Sequence, residues 1–254
     1  MMIMPSHFIF LILVVLLATG VRSTFGFGES LLAVPLLAFI MPVRQAAPLA
    51  VLLSITVATV ILIQDWKKTH FRSAISLLLA TCFGIPLGLL LLATGDQNVV
   101  KIILALLLIA FAIVSLTGLN HWRLQSDHKG WLLGCGFCAG VLGGAFGMNG
   151  PPLVIYGSLR RWPAPQFRAT LQGYFLPASA LCMIGYWRAG LWTHTVTLDF
   201  LISLPVLLPI IFIGRWINHR IHPDHFLKYV YLGLMLIGLI LLLQAAHTLM
   251  PVHI

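Results

Sequence analysis

Apolar segments follow one another along almost the whole chain, at about 7–21, 30–41, 46–64, 73–93, 98–117, 131–144, 152–159, 166–186, 195–214 and 226–248. The gaps between them never exceed roughly a dozen residues, which leaves no room for a soluble domain of the usual ~50 residues or more. Six segments reach the ~20 residues that an α-helix needs to cross a ~30 Å hydrocarbon core. Only 8% of the 254 residues are charged and 60% are hydrophobic, against about a quarter charged in a water-soluble domain. An ordinary globular protein and a disordered chain are both excluded. The chain reads as a polytopic, all-α integral membrane protein.

The remaining four segments come as two pairs. Residues 7–21 and 30–41 flank Phe25-Gly26-Phe27-Gly28-Glu29-Ser30, and 131–144 and 152–159 flank Phe146-Gly147-Met148-Asn149-Gly150-Pro151-Pro152. Each member is short for a span, whereas each pair is too long for one helix. Glycine loosens a helix and proline removes a donor, so two broken or re-entrant helix pairs are expected. A shift of 121 residues superposes the breaks: Phe25-Gly26 falls on Phe146-Gly147, Pro42 on Pro163, Gln45 on Gln166, Trp66 on Trp187 and Lys67 on Arg188. These rarer residue types keep one register over more than forty positions, which points to internal duplication.

Charge then orients the copies. If each broken pair crosses the membrane once, basic residues divide eight to six between the two sides. If each pair returns as a hairpin, one side holds Lys67, Lys68, Arg72, Arg123, Lys129, Arg160, Arg161, Arg168, Arg215, Arg220 and Lys228. The other side then holds only Arg44, Lys101 and Arg188. The second division is what positive-inside sorting produces. Each copy becomes a hairpin plus three spans, an odd number, so the copies are inverted and both termini lie on the extracytoplasmic side. The expected organisation is a first repeat over 1–120, a linker over 121–130 and a second repeat over 131–254. Within the first repeat lie the broken helix 7–41 and spans 46–64, 73–93 and 98–117. The second holds the broken helix 131–159 and spans 166–186, 195–214 and 226–248. The N-terminal segment lacks a positive n-region and is expected to be retained. A cell (inner) membrane location follows.

The formal net charge of +9 is spread between apolar segments, where Lys and Arg set topology and meet anionic headgroups. No clustered basic domain suggests nucleic acid. A helix interrupted inside a membrane exposes unpaired N–H groups and a positive dipole end, which favour an anion. Such backbone is tolerated at depth only where it lines a cavity or is buried in protein. The candidate substrate residues are therefore those at the breaks. Gly26, Gly28, Gly147 and Gly150 permit close approach, and Ser23, Thr24, Ser30 and Asn149 add neutral polar groups. Arg22 is a counter-charge candidate, and Glu29 is either a proton carrier or the partner of Arg22. Gln45 and Gln166, at matched positions, and Arg168, early in its helix, complete the set. Near-interface snorkelling, interhelical hydrogen bonding and topology setting are the structural alternatives for the charged and glutamine residues.

The stretches GFGESLLAVPLL (26–37) and GGAFGMNGPPLVIYGSLRRWPAPQFRATLQGYF (143–175) resemble the TauE/SafE sulfite exporter family, also called TSUP. The resemblance covers essentially the whole chain, and GPPLVIY followed by FRATL is its more specific part. It implies a secondary transporter of small sulfur-containing anions or organosulfonates, often working in export. Alternating access with possible proton coupling is the expected mechanism. The alternatives are a passive anion channel and, less favoured, an intramembrane enzyme. No G-x-x-x-x-G-K-[ST], G-x-S-x-G or H-E-x-x-H motif occurs. No cofactor or metal is expected, and the partners are a small anionic substrate and membrane lipid. Cys135-x-x-Cys138 reads as small residues at a helix contact, and His219, His222 and His225 as a basic loop. Asp199 is a second candidate proton site. The seven tryptophans, at expected span ends, read as interface anchors.

Overall fold

The computed structural model describes residues 5–65, 71–117, 129–160, 164–218 and 223–249. The described residues are helical, with no strand among them. In chain order the helices are α1 (Pro5–Phe25), α2 (Glu29–Leu37), α3 (Val43–Asp65), α4 (Phe71–Thr94), α5 (Gln97–Thr117), α6 (Lys129–Phe146), α7 (Gly150–Leu159), α8 (Ala164–Arg188), α9 (His194–Asn218) and α10 (Pro223–Leu249). All ten expected apolar segments are helices, and both expected breaks are present, between α1 and α2 and between α6 and α7.

Helices α1, α3, α4, α5, α9 and α10 are long and apolar enough to cross a membrane, among the described residues. This set differs from the expected one at two places. The first half of the first broken pair is not short: α1 has 21 residues, about 30 Å at 1.5 Å each. It runs on through Arg22-Ser23-Thr24, where the terminal nitrogens of Arg22 and the Thr24 hydroxyl find partners inside the bundle. Conversely, α8 has 25 residues but carries Gln166, Arg168 and Gln172 along its first half and is not among the six.

Helix boundaries repeat at the interval found in the sequence. The ends of α1 and α6, the starts of α2 and α7, and the starts of α3 and α8 are each 121 residues apart. Packing repeats as well, with helices exchanged between the halves. The three most extensive contacts between the two halves are α4 on α6, α5 on α10 and α1 on α9, while α3 meets α8 and α9, and α8 meets α4. At the α4–α6 crossing the backbones nearly touch. A Cβ added at Gly84, Gly88, Gly140 or Gly144 would fall within 3 Å of the partner's main chain, the small-residue contact that dispersion favours where lipid offers no hydrophobic drive.

Two caps fix the turn between α4 and α5. The Asp96 side chain accepts the N–H groups of Asn98 (2.8 Å) and Val99 (3.2 Å) at the start of α5. Arg44 donates to the carbonyls of Leu92 (2.9 Å) and Gly95 (2.8 Å) at the end of α4. Of the tryptophans with described side chains, Trp131, Trp187, Trp192 and Trp216 are exposed.

Candidate functional site

The first break turns on glycine. Gly26 and Gly28 have φ of 86° and 98°, and Gly147, one repeat interval after Gly26, has 66°. These are left-handed values that a side chain resists. At the first break, Gly26 and Gly28 turn the chain so that the start of α2 lies beside the last turn of α1. Arg22 and Glu29 therefore meet: Nη1 donates to Oε2 at 2.7 Å, with both side chains buried. The same guanidinium donates to Ser54 Oγ on α3 and, through Nη2, to Gln172 Oε1 on α8 at 3.3 Å. Its carbon lies 5.0 Å from the centre of the Phe175 ring, within reach of a cation–π attraction. An isolated buried charge costs several kcal/mol, and this environment replaces the water that Arg22 has lost.

Gln172 also ties the arginine to the break. Its Nε2 donates to the Gly26 carbonyl at 2.7 Å, so one side chain holds both the turn and the guanidinium. Ser54 and Ser179 face each other across α3 and α8 at 3.4 Å. Ser54 lies eleven residues from either end of α3, which puts the cluster at mid-helix.

Around this cluster is a small cavity lined by residues that include Arg22, Gly28, Glu29, Ser30, Ser54, Gly147, Asn149, Gly150, Phe175 and Ser179. The first turns of α2 and α7 both border it. No side chain caps α2, and its first N–H groups lack intrahelical acceptors. Pro151 and Pro152 have no N–H to offer, which leaves the Gly150 amide at the start of α7. Asn149 is buried, and its Oδ1 has no hydrogen-bond partner. That oxygen packs where a Cβ on Gly143 would have to go. Two helix N-termini and an arginine favour negative charge, and Glu29 supplies it. The free space is about 20 Å³, room for one or two waters. A tetra-atomic oxyanion requires the cluster to open.

The structure brings Arg22, Gly28, Glu29, Ser30, Gly147, Asn149 and Gly150 to one cavity. Ser23 and Thr24 are buried beside it. The Thr24 hydroxyl donates to Gly20 carbonyl (2.8 Å) and to that of Gly214 on α9 (3.4 Å), and Gly26 enters through its carbonyl. Gln45 stands nine residues before Ser54 on α3, about 13 Å along the helix, and does not line the cavity. The side chains of Gln166 and Arg168 lie outside the described residues, as do those of His219, His222 and His225. Asp199 is buried in α9, away from the cluster. Among the described residues no group of His, Cys, Asp and Glu could hold a metal ion.

Sequence reasoning missed Ser54, Gln172, Phe175 and Ser179. The 121-residue shift gives no signal for them, since it lays Ser54 on Phe175 and Ala58 on Ser179, unlike residues in both cases. These positions form one helical face on α3 and its equivalent on α8.

Ten helices among the described residues, four of them forming two pairs broken beside a buried arginine, define a multi-pass membrane protein with its polar site inside the helix bundle. A family model described as "Sulfite exporter TauE/SafE" matches residues 11–242. The chain belongs to this family of membrane transporters. No curated protein and no solved structure matches it.

Proposed function

We propose that the protein is a secondary transporter of small sulfur-containing anions, sulfite or a simple sulfonate, and that the anion binds by taking the place of Glu29 on Arg22. The observation that carries this reading is the Arg22–Glu29 pair itself, buried at the junction of two helix N-termini. Family membership supports the transported class.

In the empty site the Glu29 carboxylate satisfies the arginine and the positive end of α2. An incoming anion needs the same donors, and two negative groups cannot share them in a low-dielectric interior. Glu29 must therefore take up a proton, and the anion then accepts from Arg22, Ser54 and the free N–H groups of α2 and α7. Anion and proton travel together and leave together, after which Glu29 ionises and returns to Arg22. Divalent sulfite carried with one proton moves one net negative charge. An inside-negative membrane potential drives that charge outward, by about 2.3 kcal/mol per 100 mV.

The two halves are read as inverted repeats related by a pseudo-two-fold axis passing near the site. The exchanged packing favours α1, α2, α3 and α9 moving against α4, α6, α7 and α8 over motion of one sequence repeat against the other. Opening between α3 and α8 exposes the site to each side in turn.

Flux into proteoliposomes tests this reading. Saturable sulfite uptake that depends on pH and is lost in Arg22→Ala supports it. Non-saturable conductance would indicate a channel, and absence of flux with any sulfur oxyanion would overturn it.

A further inference from the structure

Behind the second break lies another, much larger cavity of about 750 Å³, between α5, α6 and α7, within the size range of small-molecule sites. Trp131, Cys135, Cys138, Leu142 and Phe146 form its wall on one face of α6, so it extends about 22 Å along that helix. None of its lining residues is charged, and an ionic group gains nothing by entering it. The cavity is open on its flank: Ala110 on α5 and Gly134 and Cys138 on α6 line it and are exposed, and α5 and α6 barely touch. In a membrane that opening faces hydrocarbon.

The cavity falls where the two halves differ. Among the described residues α2 packs on α1, α3 and α10, whereas its counterpart α7 packs closely on α6 alone. Pro151, Pro152 and Ile155 of α7 face the cavity instead. Left unfilled, a space of this size forfeits dispersion contacts along its whole lining, and the chains of the bilayer can restore them.

We propose that the cavity is a lipid-binding site, taken by one acyl chain of an anionic phospholipid that enters sideways between α5 and α6. Half of a ~30 Å hydrocarbon core is about 15 Å, so the cavity is long enough for a whole chain from one leaflet. Helix α6 begins at Lys129, and Trp131 lines the cavity beside it. A basic and an aromatic residue at a helix end are the types that meet anionic headgroups at the interface. The tip of the chain then reaches Leu31, Met148 and Pro151, which also border the polar cavity. The lipid gives α7 the support from behind that α3 and α10 give α2, and so holds the Gly150 amide and Asn149 at the site. It is a structural ligand and not a cargo.

The test is photolabelling of the full chain in liposomes with a phosphatidylglycerol that carries a diazirine at the end of one acyl chain. Phe146 and Met148 line the cavity and are buried, out of reach of a lipid on the outer surface. Leu133 and Phe137 of α6 are exposed and lie outside the cavity lining. Adducts on Phe146 and Met148 are expected beside those on Leu133 and Phe137. Gly134 lines the cavity, and a Cβ there meets nothing within 4 Å. Gly134→Leu therefore fills the space without a clash, and should remove the Phe146 and Met148 adducts while leaving the other two. Unlabelled phosphatidylglycerol should suppress the deep adducts at lower excess than phosphatidylcholine does, and equal suppression would overturn the anionic head. Adducts confined to Leu133 and Phe137, or deep adducts that Gly134→Leu leaves unaltered, would overturn the site itself. Crosslinks between two chains through the cavity-lining residues would overturn it as well, with a second copy of the chain as the occupant.

Discussion

Arg22 and Glu29 are seven residues apart, on opposite sides of a helix break, and their side chains meet at 2.7 Å with almost no exposure to solvent. The pair makes the site self-saturated: the protein's own carboxylate occupies the position that favours an anion. This relationship has consequences for binding, stability and coupling that can be separated by experiment.

Replacing Glu29 by Gln removes the internal competitor and keeps the shape. Methanesulfonate, which stays ionised across this range, should bind about tenfold or more tighter at neutral pH, equivalent to about 1.4 kcal/mol, and its affinity should lose its dependence on pH. Calorimetric titration at pH 6 and pH 8 checks both. A variant with unchanged affinity and unchanged pH dependence would remove Glu29 from the coupling step.

Removing only one member of a buried pair strands the other. Arg22→Gln should cost about 3–5 kcal/mol of stability, whereas Arg22→Gln combined with Glu29→Gln should recover most of it. Neither variant should bind sulfite. Thermal unfolding in detergent, with and without sulfite, separates the stability effect from the binding effect.

Gln172→Ala should cost about 1–3 kcal/mol, because the buried Gly26 carbonyl loses its donor. Since Gln172 also positions Arg22, sulfite affinity should fall several-fold. A drop in melting temperature with full affinity would limit Gln172 to holding the turn.

The α4–α6 crossing should tolerate no side chain. Gly88→Leu and Gly140→Leu place carbon atoms against the partner's main chain and should abolish accumulation of folded protein. Gly134→Leu, on the open face of the same α6, should not. Size-exclusion profiles of the three variants provide the comparison.

The breaks were legible because glycine and proline interrupt otherwise apolar sequence, and because Phe25-Gly26 and Phe146-Gly147 recur at one interval. The helix ends that flank the two breaks follow that interval in the structure. The length of α1 was not legible: Arg22, Ser23 and Thr24 end the apolar run, yet the helix continues because Glu29, Ser54 and Gln172 satisfy the guanidinium from elsewhere in the chain. Ser54 and Ser179 were invisible for a related reason. A single serine in an apolar helix satisfies itself on its own backbone, so only the three-dimensional meeting of α3 and α8 marks these two. Gln45 illustrates the converse, since a polar residue repeated in register need not face the cavity that the repeat encloses.

If an anion and Glu29 compete for Arg22, transport carries a proton with each anion. Sulfite efflux from proteoliposomes, recorded together with internal pH, tests it most directly. Saturable efflux accompanied by proton movement in the same direction is expected, with proton movement abolished in Glu29→Gln and efflux abolished in Arg22→Ala. Sulfite efflux at full rate with no proton movement in the unmodified protein would contradict it.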